Sequence, residues 1–401
     1  SMRNVLIDFR YYQGGSVFHG GGEYGNVVLE ELLGQQEQIN CGIFFFKGRN
    51  VCLHMLGRCE EAGWRVHAIC DLRNLSAIVR DYGYTVIYSA LPYSGWWGKV
   101  NFPGHIRFIG TFHGLRDIEL ADCERDEKCF GRQKEAADFP CYIYGREDEE
   151  KRLKKKQPYS DALLTFEDCK IIAVSEHTKH SIYYYYPELQ NADIEVLYSP
   201  PKRVPVMDDG SDKELLNKEG LVSGNYGLIV SAGIWYKNGK RAMLAYDKVF
   251  AHSYQFIRPD FKVVVLGVKN KAEMLHDITH KERFVLLDYV SAEMLEILYR
   301  NAHLFVYPSL NEGFGYPPLE AMKYGTLCAC SVNTSIAEVC RDMVLYFNPL
   351  LIDEIAIRII ESFSERIRAA KRENIRQQLP DIVERQRKDL QKLVKIIVGE
   401  D

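Results

Sequence analysis

The stretch His303–Gly325 reads HLFVYPSLNEGFGYPPLEAMKYG, and it gives the clearest indication of the fold. It begins with a short apolar run, which is typical of a buried parallel strand. A Gly-x-Gly turn follows, and then Pro317 and Pro318 suit the first turn of a helix, where a missing N–H costs nothing. Gly325 is a suitable helix stop. The stretch therefore predicts a strand, a loop and a helix in succession, as in an α/β sheet protein.

Outward from this stretch, short apolar runs alternate with helical patterns along most of the chain. The runs fall into two sets. The first set of predicted strands is 4–9, 41–46, 65–69, 85–89, 107–112, 171–175 and 194–199, and the second is 227–231, 262–266, 284–287, 303–308 and 327–330. Because alternating β and α elements build parallel sheets, the pattern predicts an α/β protein with two Rossmann-like, doubly wound domains.

Turn-forming residues are concentrated between the two sets, over Pro200–Gly224, and predict a linker. We therefore expect an N-terminal domain over 3–200 and a C-terminal domain over 225–378. A C-terminal helix, 379–401, is expected to pack back on the first domain. The charged segment at about 120–163 is interpreted as an insertion in the first domain.

Composition and charge exclude several classes of protein. With 46% hydrophobic and 26% charged residues, the 401-residue chain is neither disordered nor fibrous. A net charge of -4 argues against a nucleic-acid binder. No apolar window approaches the ~20 residues of a membrane span, and residues 3–10 indicate a strand rather than a signal peptide. We expect a cytoplasmic protein, with peripheral contact at the inner face of the membrane left open.

The cysteines and acidic residues give little indication of a metal site. Eleven cysteines without a CxxC pair indicate reduced thiols, with a zinc site at Cys123, Cys129 and Cys141 as a weak alternative. No Asp-x-Asp follows an apolar strand, and Asp208-Asp209 lies in the linker. We therefore predict that the protein needs no metal.

Two glutamates flank the Gly-x-Gly turn of the opening stretch. Glu312 and Glu320 are eight residues apart, and Glu320 is expected to approach the loop that carries Glu312 because helical side chains lean toward the helix N-terminus. The N–H groups of residues 313–316, at the start of the helix, favour an anion. Carboxylates accept hydrogen bonds from hydroxyl groups. A diphosphate and a sugar are therefore the predicted ligands.

With these residues the chain closely resembles the retaining nucleotide-sugar glycosyltransferases of the GT-B fold, glycosyltransferase family 4. The E-x7-E motif of that family falls on Glu312 and Glu320. The resemblance implies that Glu312 contacts the donor sugar and that Glu320 contacts the ribose of the nucleotide. It also implies two domains that face each other across a cleft, with the acceptor on the N-terminal side and the donor on the C-terminal side.

Further motifs extend the resemblance. The segment from Lys237 to Arg241 is similar to the Lys-Asn-x-x-Arg motif, whose lysine binds the donor diphosphate. The Thr-x-His at Thr111–His113 implies a place for His113 at the reaction centre. The catalytic residues implied are thus His113, Lys237 and Glu312. Donor-binding roles are implied for Gly313, Phe314, Gly315, Tyr316, Glu320 and Arg241, and the glycine-rich loop Gly20, Gly21 and Gly22 is expected to contact acceptor or phosphate.

One departure from the family concerns the phosphate site. Many members carry an arginine a few residues before the lysine, and here residues 231–236 contain none. Lys237 then acts alone with backbone donors, or Lys240 or Arg241 reaches in. For Arg241 the alternative is that it only braces its own helix.

The resemblance implies an enzyme that moves a sugar from a nucleoside-diphosphate sugar to a glycan, lipid-linked or small-molecule acceptor in bacterial surface polysaccharide synthesis. It implies no cofactor, and the nucleotide base stays unassigned. A GT-B phosphorylase or epimerase is one alternative. The other is a degenerate GT-B protein that binds a sugar nucleotide or glycan without turnover.

Overall fold

A computed structural model of the protein describes residues 2–13, 20–35, 39–93, 96–120, 149–202 and 205–400. They form two compact units. The first unit contains a seven-stranded sheet and the second a six-stranded sheet, and the strands within each sheet pair in parallel. The prediction of two Rossmann-like α/β domains is confirmed.

The first unit alternates strands and helices. Its elements are β1 (Arg3–Asp8), α1 (Gly20–Leu33), β2 (Ile39–Phe46), α2 (Leu53–Glu61), β3 (Arg65–Ile69), α3 (Leu75–Tyr82), β4 (Val86–Ser89), β5 (Arg107–Phe112), α4 (Arg116–Glu119), α5 (Glu149–Leu164), β6 (Asp168–Ala173), α6 (Glu176–Tyr185) and β7 (Ile194–Val196).

The second unit repeats this alternation. Its elements are α7 (Asp212–Lys218), β8 (Tyr226–Ile229), α8 (Gly239–Phe250), β9 (Lys262–Leu266), α9 (Lys271–Leu275), β10 (Phe284–Leu287), α10 (Ala292–Asn301), β11 (Leu304–Tyr307), α11 (Tyr316–Met322), β12 (Cys328–Ser331), α12 (Ile336–Cys340), β13 (Leu345–Phe347), α13 (Ile352–Glu361) and the first part of α14 (Glu365–Val398).

Strand order locates the place where a ligand is expected. The first sheet runs β3-β2-β1-β4-β5-β6-β7, and the second runs β10-β9-β8-β11-β12-β13. In each sheet the chain starts in the middle, builds toward one edge and then returns to build the other side. The order reverses between β1 and β4 and between β8 and β11. In open α/β sheets, ligands bind beside the carboxyl ends of the strands at such a reversal.

The apolar runs of the sequence are buried on both faces of the sheets. Val263, Val264 and Val265 are consecutive in β9, their side chains point alternately to opposite faces, and all three are fully buried. Helices therefore cover both sides of the second sheet, which explains why its strands lack the polar alternation of a half-exposed strand.

The stretch that joins the two strand sets contains more structure than a linker. The described part of the second unit starts at 205, and helix α7 lies within the predicted linker. Arg300 in α10 donates to Asp212 at the start of α7 at 2.6 Å, and Asp212 is almost fully buried. This buried ion pair fixes α7 to the second unit, an effect that turn composition alone does not indicate.

The C-terminal helix is also longer than predicted. Helix α14 begins at Glu365, well before 379, and its residues from Glu384 onward group with the first unit. Within that unit, Gln386 Nε2 donates to the Ser199 carbonyl at 2.9 Å. Arg3 Nη1 donates to the Ile396 carbonyl at 2.8 Å.

Two predictions fall largely on residues outside the described ranges. Of the insertion at about 120–163, residues 121–148 are not described, and the remainder consists of Leu120, which follows α4, and most of α5. Cys123, Cys129 and Cys141 lie in the same stretch. The described cysteines are free thiols.

Candidate functional site

The candidate site in the second unit is built from the loops that follow β8 and β11, on either side of the reversal in strand order. The loop after β8 ends in a short 3-10 turn, Trp235–Lys237, before α8 begins at Gly239. Asn238 between them adopts a left-handed backbone, with φ of 63°, which asparagine tolerates better than most residues.

Asn238 ties the two loops together. Its side-chain Nδ2 donates to the carbonyl of Pro308, in the loop after β11, at 2.9 Å, and to the carbonyl of Pro349 at 2.9 Å. A backbone hydrogen bond of 2.8 Å from Leu310 to Tyr236 adds a second connection. The lysine next to Asn238 is therefore carried by a loop that is fixed to the neighbouring strand.

Lys237 and Glu312 meet across these two loops. Lys237 Nζ donates to Glu312 Oε1 at 2.5 Å and to the Tyr307 hydroxyl at 3.2 Å. The Ser309 hydroxyl donates to the same Oε1 of Glu312 at 2.6 Å. The two charged side chains are only 15% and 9% exposed, so their mutual attraction is screened less than at the surface.

The backbone of Glu312 is held independently of its side chain. Its N–H donates to Thr334 Oγ1 at 3.0 Å, and its carbonyl accepts from Ser335 Oγ at 2.8 Å. Both partners come from the segment between β12 and α12. Three strand ends thus fix the position of Glu312.

The Gly-x-Gly turn and the following helix agree with the prediction from the sequence. Gly315 precedes α11 with φ of 98°, a left-handed conformation that favours glycine. Gly313, Phe314, Gly315 and Tyr316 are buried, and Glu320 is half-buried on α11. Burial lowers the pKa of Lys323 at the end of the same helix. The nearby negative charge of Glu320 opposes this shift but is the weaker effect.

The structure does not bring Lys240 into the site. Its Nζ donates to the carbonyls of Met274 and His276, at 2.6 and 2.5 Å, at the end of α9. Burial lowers the pKa of Lys240 to about 8. The alternative in which Lys240 supplements Lys237 was therefore wrong for this structure, because its ammonium is committed to a helix end.

Arg241 occupies a bracing position. Its side chain is only 1% exposed, and its Nη1 donates to Asn238 Oδ1 at 2.9 Å. This arrangement favours the bracing alternative over direct donor contact, because the guanidinium orients the asparagine that joins the two loops.

His113 lies at the carboxyl end of β5 in the first unit. Its Nε2 lies 2.7 Å from the carbonyl of Ala90 and donates to it, because a carbonyl can only accept. Its ring meets Tyr24 edge to face at 4.8 Å between centroids. Burial and, to a smaller extent, the charge of Lys202 lower the pKa of His113 to about 4, although the bond to Ala90 opposes this shift. The imidazole is therefore neutral at pH 7.

The partner of His113 in the Thr-x-His motif is buried. Thr111 Oγ1 lies 3.2 Å from the Tyr24 hydroxyl and 3.0 Å from the Tyr88 hydroxyl. Thr111 thus joins hydroxyl groups from α1 and β4, which helps to fix the strand end that carries His113.

The three glycines Gly20, Gly21 and Gly22 were predicted as a loop, and in the structure they form the first turn of α1. Glu23, next along the helix, pairs with Lys202 at 2.6 Å. The preceding residues 14–19 lie outside the described ranges. The expected acceptor or phosphate contact of these glycines stays a prediction.

Sequence reasoning missed a carboxylate site in the first unit. Asp8 ends β1 and is 3% exposed, and Arg10 donates to both of its carboxylate oxygens at 2.8 Å. Ser89, the last residue of β4, donates to Asp8 Oδ2 at 2.8 Å. The Asp-x-Arg pattern directly after a strand was a usable signal. Sequence reasoning also missed Ser309 and Tyr307, because their roles depend on contacts rather than on a motif.

Within the described residues, no group of three or more His, Cys, Asp or Glu side chains is placed to hold a metal ion. No described helix is both long enough and apolar enough to cross a membrane.

Part of the chain is similar in sequence to known proteins. Residues 212–380 match the family model Glycosyl transferases group 1. O-antigen chain mannosyltransferase RfbU of Salmonella typhimurium is 36% identical over 31% of this chain and 35% of its own length. The chain therefore matches about a third of the length of that relative.

Solved structures match over nearly the whole chain. A glycosyltransferase from Rickettsia africae has a TM-score of 0.65 at 11% identity, with all of both chains covered. Alr3699/HepE from Anabaena, solved with UDP and glucose, has a TM-score of 0.65 at 12% identity and covers 98% of this chain and 99% of its own. These likenesses identify the fold as GT-B. Residues 212–380, which include Lys237, Glu312 and Glu320, are thus similar to the group 1 glycosyltransferases.

Proposed function

We propose that this protein transfers a sugar from a nucleoside-diphosphate sugar to a glycan or lipid-linked acceptor. The observation that carries the proposal is the Lys237–Glu312 pair at the strand-order reversal of the second unit. An ammonium there suits a diphosphate, and a carboxylate suits the hydroxyls of the donor sugar. RfbU is named as an O-antigen mannosyltransferase, which favours mannose as the sugar and surface polysaccharide as the product.

In the proposed reaction the bond between the anomeric carbon and the diphosphate oxygen breaks, and a bond to the acceptor hydroxyl forms. Lys237 stabilises the negative charge that grows on the diphosphate. We expect the acceptor to attack from the face that the diphosphate leaves, with the hydroxyl proton passing to a diphosphate oxygen. This course retains the anomeric configuration, as the family resemblance implies.

A ligand screen tests the proposal. Binding stabilises a fold by mass action, so a matching donor should raise the melting temperature. The screen compares UDP-, GDP-, ADP-, CMP- and dTDP-sugars, followed by turnover assays with glycan and lipid-linked acceptors. NMR of the anomeric proton then reports whether the configuration is retained. Failure of every nucleotide sugar to bind would exclude the proposed function.

A second candidate is a binding protein without turnover. It is favoured by the commitment of Lys240 and Arg241 to other partners, because the missing arginine then has no substitute among these two side chains. Donor binding together with no transfer or hydrolysis across the acceptor panel would support this candidate over the enzyme.

Peripheral contact with a membrane stays a proposal. The lysine run on α5 is not uniformly exposed, since the Lys154 side chain is 77% exposed whereas Lys156 donates to the carbonyl of Tyr185. Attraction to anionic lipid would appear as salt-sensitive sedimentation with vesicles that contain phosphatidylglycerol. A chain that stays in the supernatant at low salt would rule out this contact.

A further inference from the structure

Glu312 Oε1 receives two donors of different kinds. One is the charged ammonium of Lys237 at 2.5 Å, and the other is the neutral hydroxyl of Ser309 at 2.6 Å. Ser309 is fully buried and lies three residues before Glu312. The two donors therefore fix a single oxygen from different loops.

A diphosphate at Lys237 would compete with Glu312 for the same positive charge. The ammonium has three N–H donors, so it can turn toward a new acceptor while it keeps its contact with the Tyr307 hydroxyl. The attraction between the ammonium and the carboxylate opposes this turn, since the pair is largely shielded from solvent.

Ser309 acts on the carboxylate of Glu312, whereas Thr334 and Ser335 act on its backbone. The bonds to Thr334 and Ser335 fix only the N–H and carbonyl of Glu312, and its side chain keeps several rotatable bonds. The hydroxyl of Ser309 lies in the buried loop and donates to Oε1 from a different residue than Lys237.

We propose, on the basis of the proposed function, that Glu312 is the resting counter-ion of Lys237 and that Ser309 is a positioning residue. Ser309 keeps the carboxylate in place when Lys237 turns to the donor diphosphate. Donor binding and the placement of the sugar-binding carboxylate are then coupled through one oxygen atom.

The counter-ion role is tested by titration with UDP and GDP, which contain the diphosphate but no sugar. Glu312→Gln keeps the shape and an acceptor oxygen but removes the charge that competes for Lys237. We expect the variant to bind the matching diphosphate at least about threefold more tightly than the wild type. Uridine and guanosine, which lack the diphosphate, should bind both proteins equally. Unchanged or weaker diphosphate binding by Glu312→Gln would overturn the counter-ion role.

The positioning role is tested by steady-state kinetics of Ser309 variants. Ser309→Ala should lower kcat by about tenfold, as expected for a lost hydrogen bond to a charged group, with a much smaller change in the KM for the donor. Ser309→Thr retains a hydroxyl and should restore most of kcat. The matched control is Ser362→Ala, which removes another fully buried hydroxyl of the same unit, one that donates to the Ile359 carbonyl.

The outcomes separate this inference from the proposed function. If the wild type binds a diphosphate and transfers sugar while Ser309→Ala keeps its kcat, or loses no more than Ser362→Ala, the positioning role is wrong and the function stands. If the wild type binds no nucleoside diphosphate, both fail. A fall in kcat confined to Ser309→Ala and restored by threonine supports the inference.

Discussion

At the strand-order reversal of the first sheet, Asp8 meets Arg10 and Ser89, and at the matching point of the second sheet, Glu312 meets Lys237 and Ser309. Both sets combine a buried carboxylate, a cation and a serine hydroxyl. They differ in how the cation is held. Arg10 binds both oxygens of an aspartate two residues away, whereas Lys237 reaches from a separate loop to one oxygen.

The difference separates a structural brace, formed by Asp8, Arg10 and Ser89, from an exchangeable pair, formed by Lys237 and Glu312. The Arg10 guanidinium is a planar fork, and it lies 5.0 Å from the centroid of the Trp97 ring, so it has little freedom to change partner. An ammonium on a flexible stem can turn to a new anion. Similar topology therefore supplies a stabilising contact in one unit and a candidate binding group in the other.

The largest expected effect comes from breaking the brace. Asp8→Ala leaves the Arg10 charge buried without its carboxylate, which should lower the free energy of unfolding by roughly 3–5 kcal/mol. Denaturant titration measures the change. Asp81→Ala is the matched control, since Asp81 is 59% exposed in its pair with Arg80 and should have little effect. Equal stability of the two variants would contradict the brace.

Most strands of the two sheets could be predicted from the sequence, but the shortest could not. Strands such as Arg65–Ile69, Lys262–Leu266 and Phe284–Leu287 were predicted with their observed bounds, because continuous apolar runs between turn formers have few alternatives. Strand β13 (Leu345–Phe347) was missed, since three residues are too short for a periodic signal.

Some residues of the candidate site could be predicted from the sequence, and others could not. Glu312 and Lys237 were identified from motifs within single loops, and the structure brings them together. Ser309 and the Asp8 brace were not predicted, because their roles depend on which strand ends become neighbours. Likewise, composition could not show that Lys240 is committed to the end of α9.

Removal of the Glu312 carboxylate should lower the rate of sugar transfer. Glu312→Ala should lower kcat on the order of a hundredfold, because a contact with the reacting sugar is lost in the transition state. Its effect on unfolding should be smaller than that of Asp8→Ala. The control is Glu214→Ala, whose side chain is 78% exposed. Wild-type turnover in Glu312→Ala would refute the assignment.

Removal of the Lys237 ammonium should weaken the binding of a nucleoside diphosphate. Lys237→Ala should weaken binding of the nucleoside diphosphate by about tenfold or more, because a charged hydrogen bond to phosphate is lost. Binding of the free nucleoside should not change. Lys237→Arg should restore only part of the affinity, and Lys248→Ala, at a half-exposed lysine of the same unit, is the control. Equal losses for nucleoside and diphosphate would argue against phosphate contact.

The neutral His113 in the first unit gives a smaller, pH-dependent effect. Its pKa falls from 6.5 to about 4 on folding, so the unfolded chain binds the proton more tightly. The stability contributed by the neutral ring is complete above pH 6.5 and is lost as the pH falls toward 4. His113→Gln should therefore lose less stability than the wild type over that interval, as followed by denaturant titration at each pH. Parallel curves would show that His113 does not titrate there.

The smallest expected effect is that of chelation. Both carboxylate sites pair with side-chain cations in the described residues, and the proposed mechanism assigns the diphosphate charge to Lys237. Transfer activity should therefore survive EDTA without change. Loss of activity that manganese or magnesium restores would reveal a cation requirement and weaken the role of Lys237.

The division of α14 has a consequence for biosynthesis. Among the described residues, the first unit is assembled from residues up to 202 and from the end of α14 after 383, whereas the second unit is the single segment 205–383. The ribosome therefore releases all of the second unit before the last segment of the first unit emerges. The second unit can complete its sheet and its Lys237–Glu312 pair while Arg3 still lacks its acceptor at Ile396. Premature termination just after 383 would leave the first unit, and not the second, without the segment that contacts Arg3 and Ser199.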